Sequence, residues 1–371
     1  MPIDQNDDAR IGGVSLRSLP KVSLHDHLDG GLRPATIIEL ADAAGIPVPA
    51  HDASALGDWF ARQADSGSLV EYLKTFDLTI AVMQTRESLT RVAREFVEDL
   101  VADGVVYGEV RWAPEQHGAG GLSPDEAVAA VQAGIEQGED AAAAAGHDIR
   151  VGQLISAMRH TDRALEVAKL AVSWRDRGAV GFDIAGPEDG FPPSRLRDAF
   201  DYLASAFFPA TVHAGEAAGV DSIRSALIDG RALRLGHGVR IAQDLEIIGH
   251  DGDEVQVRFG DVARWVRDRE IPLELSPSSN LQTGAIAAWG TELSDHPFDL
   301  LYQLGFAVTV NVDNRTMSRT SLTRELALLA DAFDYDLGDI EAFQLNAAAG
   351  TFLPVEEREE LIDVIVSGFG G

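Results

Sequence analysis

Eight short apolar runs recur along the chain, each followed by a stretch of helical periodicity. This alternation constrains the fold more than any other feature. The runs are "VSLHDH" from Val22, "VVYGEVRWAP" from Val105, "IRVGQLISAMRH" from Ile149, "VGFDIAG" from Val180, "ATVHAGE" from Ala210, "LRLGHG" from Leu233, "IPLELSPSSN" from Ile271 and "FAVTVNVDN" from Phe306. Between them lie amphipathic stretches such as 86–104 and 123–146, the second opening on Ser123 as N-cap and Pro124 at the first helical position. Strands alternating with helices call for a parallel sheet, and eight such units match a closed (β/α)8 TIM barrel. An open doubly wound sheet is the alternative, but its G-x-G-x-x-G turn after the first strand is missing. The 371 residues are enough for one barrel domain spanning 1–371. The longest departure from the repeat, 32–104, is a helical insertion after the first strand. Its Leu69, Leu73, Phe76 and Ile80 fall at helical spacing, an arrangement that suits core packing for most of them or the wall of a pocket over the barrel mouth.

The first run introduces the chemistry. In "VSLHDHLDGG", Val22, Leu24 and Leu28 alternate with Ser23, His25, His27 and Asp29. That period of two reads as a strand with one apolar and one polar face, ended by Gly30 and Gly31. His25 and His27 then point the same way, close enough to hold one metal ion. A chance pair of exposed histidines is the plainer reading of so short a motif, so the remaining polar residues decide.

Of ten histidines, His25, His27, His160, His213 and His237 lie in the strand runs or at their C-terminal ends. His51, His117, His147, His250 and His296 fall in polar, loop-like surroundings, where solvation is expected. Asp29, Asp183, Glu216 and Asp313 collect at the same strand ends as the first five. In a barrel those ends form one mouth, where active sites are built. Burying that much charge is costly unless it is paired or metal-bound. His25 and His27 from the first strand, His213 from the fifth and Asp313 from the eighth form a ligand set, because the first and eighth strands are neighbours in a closed barrel. Three imidazoles, one carboxylate and a water suit a catalytic Zn²⁺. No lysine falls within the runs as delimited above, so a carbamylated lysine bridging two metals is excluded and one ion per chain is expected. Glu216, three residues past His213, is placed beside the ion as an acid whose pKa a closed pocket raises. His237 orients or deprotonates the water, or is a structural imidazole beneath the metal.

Composition removes other classes. The absence of cysteine excludes disulfides, thiolate metal sites and thiol nucleophiles. A formal net charge of −30 repels nucleic acid and anionic membranes and disfavours phosphorylated substrates. A small-molecule substrate is left. No apolar run is long enough to cross a membrane, and the N-terminus "MPIDQNDDARIGG" is neither a signal nor a transit peptide, so a cytoplasmic location is expected.

The pieces "HDHLDGG", "VVYGEVRWAP", "AMRH", "VGFDIAG", "VHAGE", "RLGHGVR", "SPSSNLQTG" and "VTVNVDN" occur here in the order in which the adenosine deaminases of the metal-dependent amidohydrolase superfamily carry them, and the chain resembles that family. The resemblance implies zinc on His25, His27, His213 and Asp313. It implies that Glu216 protonates the purine N1 and that His237 handles the proton of the attacking water. It further implies that the Gly186 backbone meets N3, that Asp29 accepts from the ribose 5′-hydroxyl, and that Leu69, Tyr72, Leu73 and Phe76 wall the pocket. The activity implied is deamination of adenosine, with 2′-deoxyadenosine, in purine salvage. Relatives acting on free adenine usually carry Glu at position 29, so Asp29 favours a nucleoside. One departure stands out: Asp313-Asn314-Arg315 replaces the family's usual Asp-Asp-Pro. An Asn amide donates without protonation, so Asn314 keeps a contact to N7 or marks a modified substrate. An adenine deaminase, a deaminase of a 5′-modified adenosine such as aminofutalosine, and a non-catalytic deaminase-like binding protein are the alternatives. The cysteine-dependent cytidine deaminase type is excluded.

Overall fold

A computed structural model of the chain describes residues 9–251 and 254–370. The N-terminal stretch up to residue 8, read above as neither signal nor transit peptide, lies outside them. The eight runs form eight parallel strands: β1 (Lys21–His27), β2 (Val105–Trp112), β3 (Arg150–Met158), β4 (Ala179–Ala185), β5 (Thr211–Ala214), β6 (Arg234–His237), β7 (Leu273–Leu275) and β8 (Val308–Val310). β1 to β4 pair in sequence order, as do β5 to β8. Single parallel bridges, Phe182 to Ala210 and Asp26 to Asp313, join the two halves at both seams. The sheet therefore closes into a TIM barrel, and the second bridge brings Asp313 beside the first strand.

The insertion holds five helices: α1 (Pro34–Ala44), α2 (Ala53–Ala64), α3 (Leu69–Leu73), α4 (Phe76–Val82) and α5 (Arg86–Ala102). α6 (Pro124–Ala144) starts on the expected cap: Ser123 Oγ accepts from the Glu126 N–H, and Glu126 accepts in return from the Ser123 N–H. Two later helices matter for the site, α7 (Pro277–Gln282) and α8 (Phe298–Gln303), both after β7. An antiparallel hairpin between β6 and the next barrel helix, Leu245–Asp251 with Glu254–Phe259, was not legible in the repeat. None of the described helices is long and apolar enough to cross a membrane.

β1 has the apolar and the polar face expected of it, and both are buried; two other expectations need correcting. Val22 and Leu24 pack against Ala347, Ala348, Leu361 and Ile365, while Ser23, His25 and His27 face the barrel interior. β1 also begins one residue earlier than its apolar run and so includes a lysine. Lys21 lies at the end opposite the mouth, where its Nζ donates to the carbonyls of Leu16, Leu19 and Arg17; it is far from the ligand set and cannot bridge metals there. Lastly, the stripe from Leu69 to Ile80 is two helices rather than one. The first closes with the Lys74 and Thr75 N–H groups on the Glu71 and Tyr72 carbonyls three residues back. Leu69, Leu73, Phe76 and Ile80 all line the cavity described below, and Leu73, Phe76 and Ile80 also pack with the core, as expected for most of them.

Below the mouth the barrel interior is ionic. Arg234 donates to Glu109 Oε2 at 2.5 Å and to Glu274 Oε1 at 2.6 Å, and Arg111 donates to Glu274 Oε2 at 2.7 Å. All four side chains are buried. Such pairs break even at best against apolar packing, but removing one partner leaves a buried charge alone. Arg234→Met is therefore expected to destabilise the fold by about 3–5 kcal/mol in urea unfolding; a loss under about 1 kcal/mol would show that the ribbon does not hold the barrel.

Candidate metal centre and active site

The strand ends converge as the parallel topology demands. His25 and His27 come from β1, His213 from β5, His237 from the end of β6, and Asp313 from just past β8. Asp313 Oδ1 lies 3.3 Å from His25 Nε2 and 3.3 Å from His27 Nε2. His27 Nε2 lies 3.3 Å from His213 Nε2. A tetrahedral ion with arms of roughly 2.0–2.1 Å to nitrogen has ligand–ligand edges of about 3.3–3.4 Å. Three of the six donor–donor edges thus have the length such a shell requires, and His25 Nε2 is buried with no hydrogen-bond partner.

The groups behind the imidazoles set their tautomers. His25 Nδ1 faces Glu274 Oε2 at 3.0 Å and His213 Nδ1 faces Asp183 Oδ1 at 3.0 Å. Each carboxylate accepts an Nδ1–H, which leaves the Nε2 lone pair free for a cation. Ser279 Oγ donates to Asp313 Oδ2 at 2.5 Å and leaves Oδ1 for the centre. Burial, against the pull of Asp313, pushes His27 well below its ordinary value. It lowers His213 against Asp183. His25 differs: burial and Arg111 lower it, yet the carboxylates of Asp313 and Glu274 leave it raised, and a cation would compete for that proton. Burial raises Asp183, but His213 and Arg111 outweigh it and hold the carboxyl at about 2.

A second donor set overlaps the first, since His25, His213, His237 and Asp313 also offer ligand atoms within 4.8 Å of one another. His237 Nδ1 is already engaged by Asn280 at 2.9 Å, and its Nε2 stands 3.5 Å from Glu216 Oε2. The two sets share His25, His213 and Asp313 and differ in whether His27 or His237 completes the shell.

These groups open into a cavity of about 410 Å³, within the range of small-molecule sites. It is lined by His27, Asp29, Gly186, His213, Glu216, His237, Asp313 and Asn314, with Leu69, Tyr72, Leu73 and Phe76 on the α3–α4 wall and His160 also among its lining. Glu216 is buried, and its Oε1 has no partner. Burial, then the charges of Asp313 and Glu188, push its pKa well above the carboxylate range. Burial raises Asp29 to about 7, and its Oδ1 is likewise unpartnered. Asn314 lies against Gly30, where a Cβ would fall 1.9 Å from Asn314 Oδ1; only glycine admits that approach.

Several groups escaped the sequence reading. Glu188 accepts from the backbone N–H groups of Gly215, Glu216, Ala217 and Ala218 and from Ser222 Oγ, clamping the loop that carries Glu216. Its place two residues past Gly186 was the available signal. Glu274, Arg111, Ser279 and Asn280 sit inside quoted motifs but had no role assigned. His117 and His296, expected in solvent, are buried. The His117 Nδ1 lies 2.9 Å from the Met83 carbonyl. His51 and His147 are exposed as expected, and the His250 side chain lies outside the described residues.

The model of the family described as adenosine deaminase matches residues 20–367. The chain belongs to that family. It is 52% identical over 359 residues to an adenosine deaminase of Mycobacteroides abscessus, covering 96% of this chain and 97% of that one. It is 54% identical over 356 residues to adenosine deaminase 1 of Streptomyces coelicolor, covering 95% and 88%. Among solved structures it resembles an Arabidopsis N6-mAMP deaminase, with TM-score 0.79 and 28% identity over 95% of this chain and 99% of that one. Within the adenosine deaminase family, the buried His–Asp cluster is a metal-ion site.

If Asp183 orients His213, Asp183→Asn lowers metal affinity roughly 10- to 100-fold in a chelator competition while far-UV circular dichroism stays unchanged. Unaltered affinity would separate Asp183 from the metal centre.

Proposed function

We propose that the chain hydrolyses adenosine, and 2′-deoxyadenosine, at C6 of the purine, releasing ammonia and the inosine product, with one zinc ion per chain. The observation that carries this reading is the placement of a carboxyl kept protonated by burial, Glu216, in the same cavity as three imidazoles and a carboxylate spaced for one ion. Three nitrogens and one oxygen suit Zn²⁺. When bound, the ion supplies Lewis-acid activation of a water near neutral pH.

The chain's own residues do the rest. Glu216 gives its proton to N1, which draws electron density from C6. Burial raises its pKa, which favours the protonated acid. The Gly186 N–H meets N3, and the Asn314 amide donates to N7 without needing protonation. Asp29 accepts from the 5′-hydroxyl. A 5′-phosphate would meet the Asp29 carboxyl there, and the nearby Lys74 already pairs with Glu71 at 2.7 Å, so a neutral nucleoside is favoured over a nucleotide. The α3–α4 wall covers the purine with apolar side chains and limits bulk water.

Ammonia release from zinc-loaded protein, with adenosine, deoxyadenosine, adenine and a 5′-modified adenosine side by side and a chelator control, tests the assignment. Turnover confined to adenine or to the modified nucleoside would overturn it. Glu216→Gln is expected to retain metal and lose about 10²-fold or more in kcat; normal turnover would remove the acid role. Asp29→Ala is expected to lower kcat/KM for adenosine roughly 10- to 100-fold, the size of a hydrogen bond to a charged group, with little effect on adenine. Equal losses on both would remove the ribose role.

A further inference from the structure

A buried hydrogen-bond chain runs from the backbone of α8 to the mouth. The Phe298 N–H donates to His296 Nδ1 at 3.0 Å. His296 Nε2 meets Asn280 Oδ1 at 3.2 Å. Asn280 Nδ2 meets His237 Nδ1 at 2.9 Å. His296, Asn280 and His237 are all buried. Proton positions follow from such a network once one end is fixed, and this end is fixed, because a backbone N–H only donates.

The assignment then runs one way. His296 Nδ1 must be a lone pair, so the ring is neutral with its proton on Nε2. That proton goes to the Asn280 oxygen, which turns the Asn280 amide nitrogen toward His237. His237 Nδ1 therefore accepts, and the one proton of the neutral ring is on Nε2, the nitrogen 3.5 Å from Glu216 Oε2. A second proton on His237 would set Nδ1–H against the Asn280 amide N–H. Reversing the chain would set two N–H groups face to face at Phe298.

We propose that His237 works as a fixed hydrogen-bond donor through Nε2–H and not as a proton acceptor, and that Asn280 and His296 are the positioning residues that hold it so. The role of the donor rests on the deaminase reading above and deepens it. In this state His237 has no free lone pair for a cation, which leaves His27 as the third imidazole. It also has none for a proton, which leaves Glu216 as the proton-transfer group beside it. The Nε2–H instead stabilises the carboxylate that remains when Glu216 has given up its proton.

The test is a long-range ¹H–¹⁵N correlation spectrum of zinc-loaded protein labelled with ¹⁵N-histidine at neutral pH, with His237 assigned by the cross-peaks lost in His237→Gln. His237 and His296 are both expected to carry their proton on Nε2 alone. A His237 proton on Nδ1, or on both nitrogens, would overturn the proposal whatever the substrate proves to be. Asn280→Asp supplies a group that only accepts, so the His237 proton should move to Nδ1. With it kcat should fall roughly 10- to 100-fold, the usual size of an outer-shell effect, while KM for adenosine changes little. A moved proton with unchanged kcat would remove the donor role; a lower kcat with the proton still on Nε2 would make Asn280 merely structural. His296→Leu frees Asn280 to turn and should give a mixture of tautomers at His237, and a single Nε2–H form there would remove His296 from the relay. The tautomer readout does not depend on turnover, so failure of the substrate assignment and failure of this inference stay distinguishable.

Discussion

The mouth of the barrel rests on one buried carboxylate. Glu274 Oε2 accepts from Arg111 at 2.7 Å and faces His25 Nδ1 at 3.0 Å, while Oε1 accepts from Arg234 at 2.6 Å and from Thr211 Oγ1 at 3.0 Å. Burial would raise its pKa, but Arg111 and Arg234 outweigh it and hold it well below the carboxylate range. A lone carboxylate would not stay charged in such an interior. With two guanidiniums it does, and it can fix the first metal-facing imidazole. Arg111 reaches on to Asp183 Oδ2 at 3.4 Å, so the same ribbon supports the carboxylate behind His213. Fold stability and metal geometry thus share one set of side chains.

Above this ribbon the backbone is strained where the chemistry lies. His237 and Asp313 adopt φ of 60° and 58°, in the left-handed region that non-glycine residues avoid. Each such residue costs about 1–3 kcal/mol and persists only when its surroundings over-determine it. They do here. Asp313 N donates to the His25 carbonyl at 2.9 Å, and His27 N donates to the Asp313 carbonyl at 2.8 Å. Those two bonds close the β8–β1 seam and at the same time turn Asp313 toward the imidazoles of β1. Gly238 N donates to the Ala214 carbonyl at 2.9 Å, pinning the turn that carries His237.

Much of this was legible because it follows from short-range periodicity. The alternation within "VSLHDH" puts His25 and His27 on one face, and the repeat of strand and helix puts the ends of β1, β5 and β8 at one mouth. The rest depends on contacts that no local pattern encodes. His296 lies in the polar stretch "SDHPF" and reads as solvated, yet α8 and α7 bury it. Glu188 looks like another acidic loop residue until its carboxylate is seen to collect four consecutive N–H groups. The Leu69–Ile80 stripe has good helical spacing, yet Lys74, Thr75 and Asp77 bond to carbonyls three residues back, and the stripe divides there. Lys21 sits one residue before the apolar run, where three carbonyls rather than a hydrophobic neighbour explain its burial.

The histidines at the centre are chemically alike, and at His25, His213 and His237 the partner behind the ring distinguishes them. Behind His25 and His213 stand carboxylates, which can only accept; each ring turns its proton outward and a lone pair inward. Behind His237 stands an amide whose orientation is dictated, through His296, by a backbone N–H that can only donate; the ring turns its lone pair outward and its proton inward. The partners lie 249, 30 and 43 residues away in sequence, so residue type and strand position alone cannot separate a ligand from a donor. The sign of the hydrogen bond on the far side of the ring separates them, and closure of the barrel brings that far side into place.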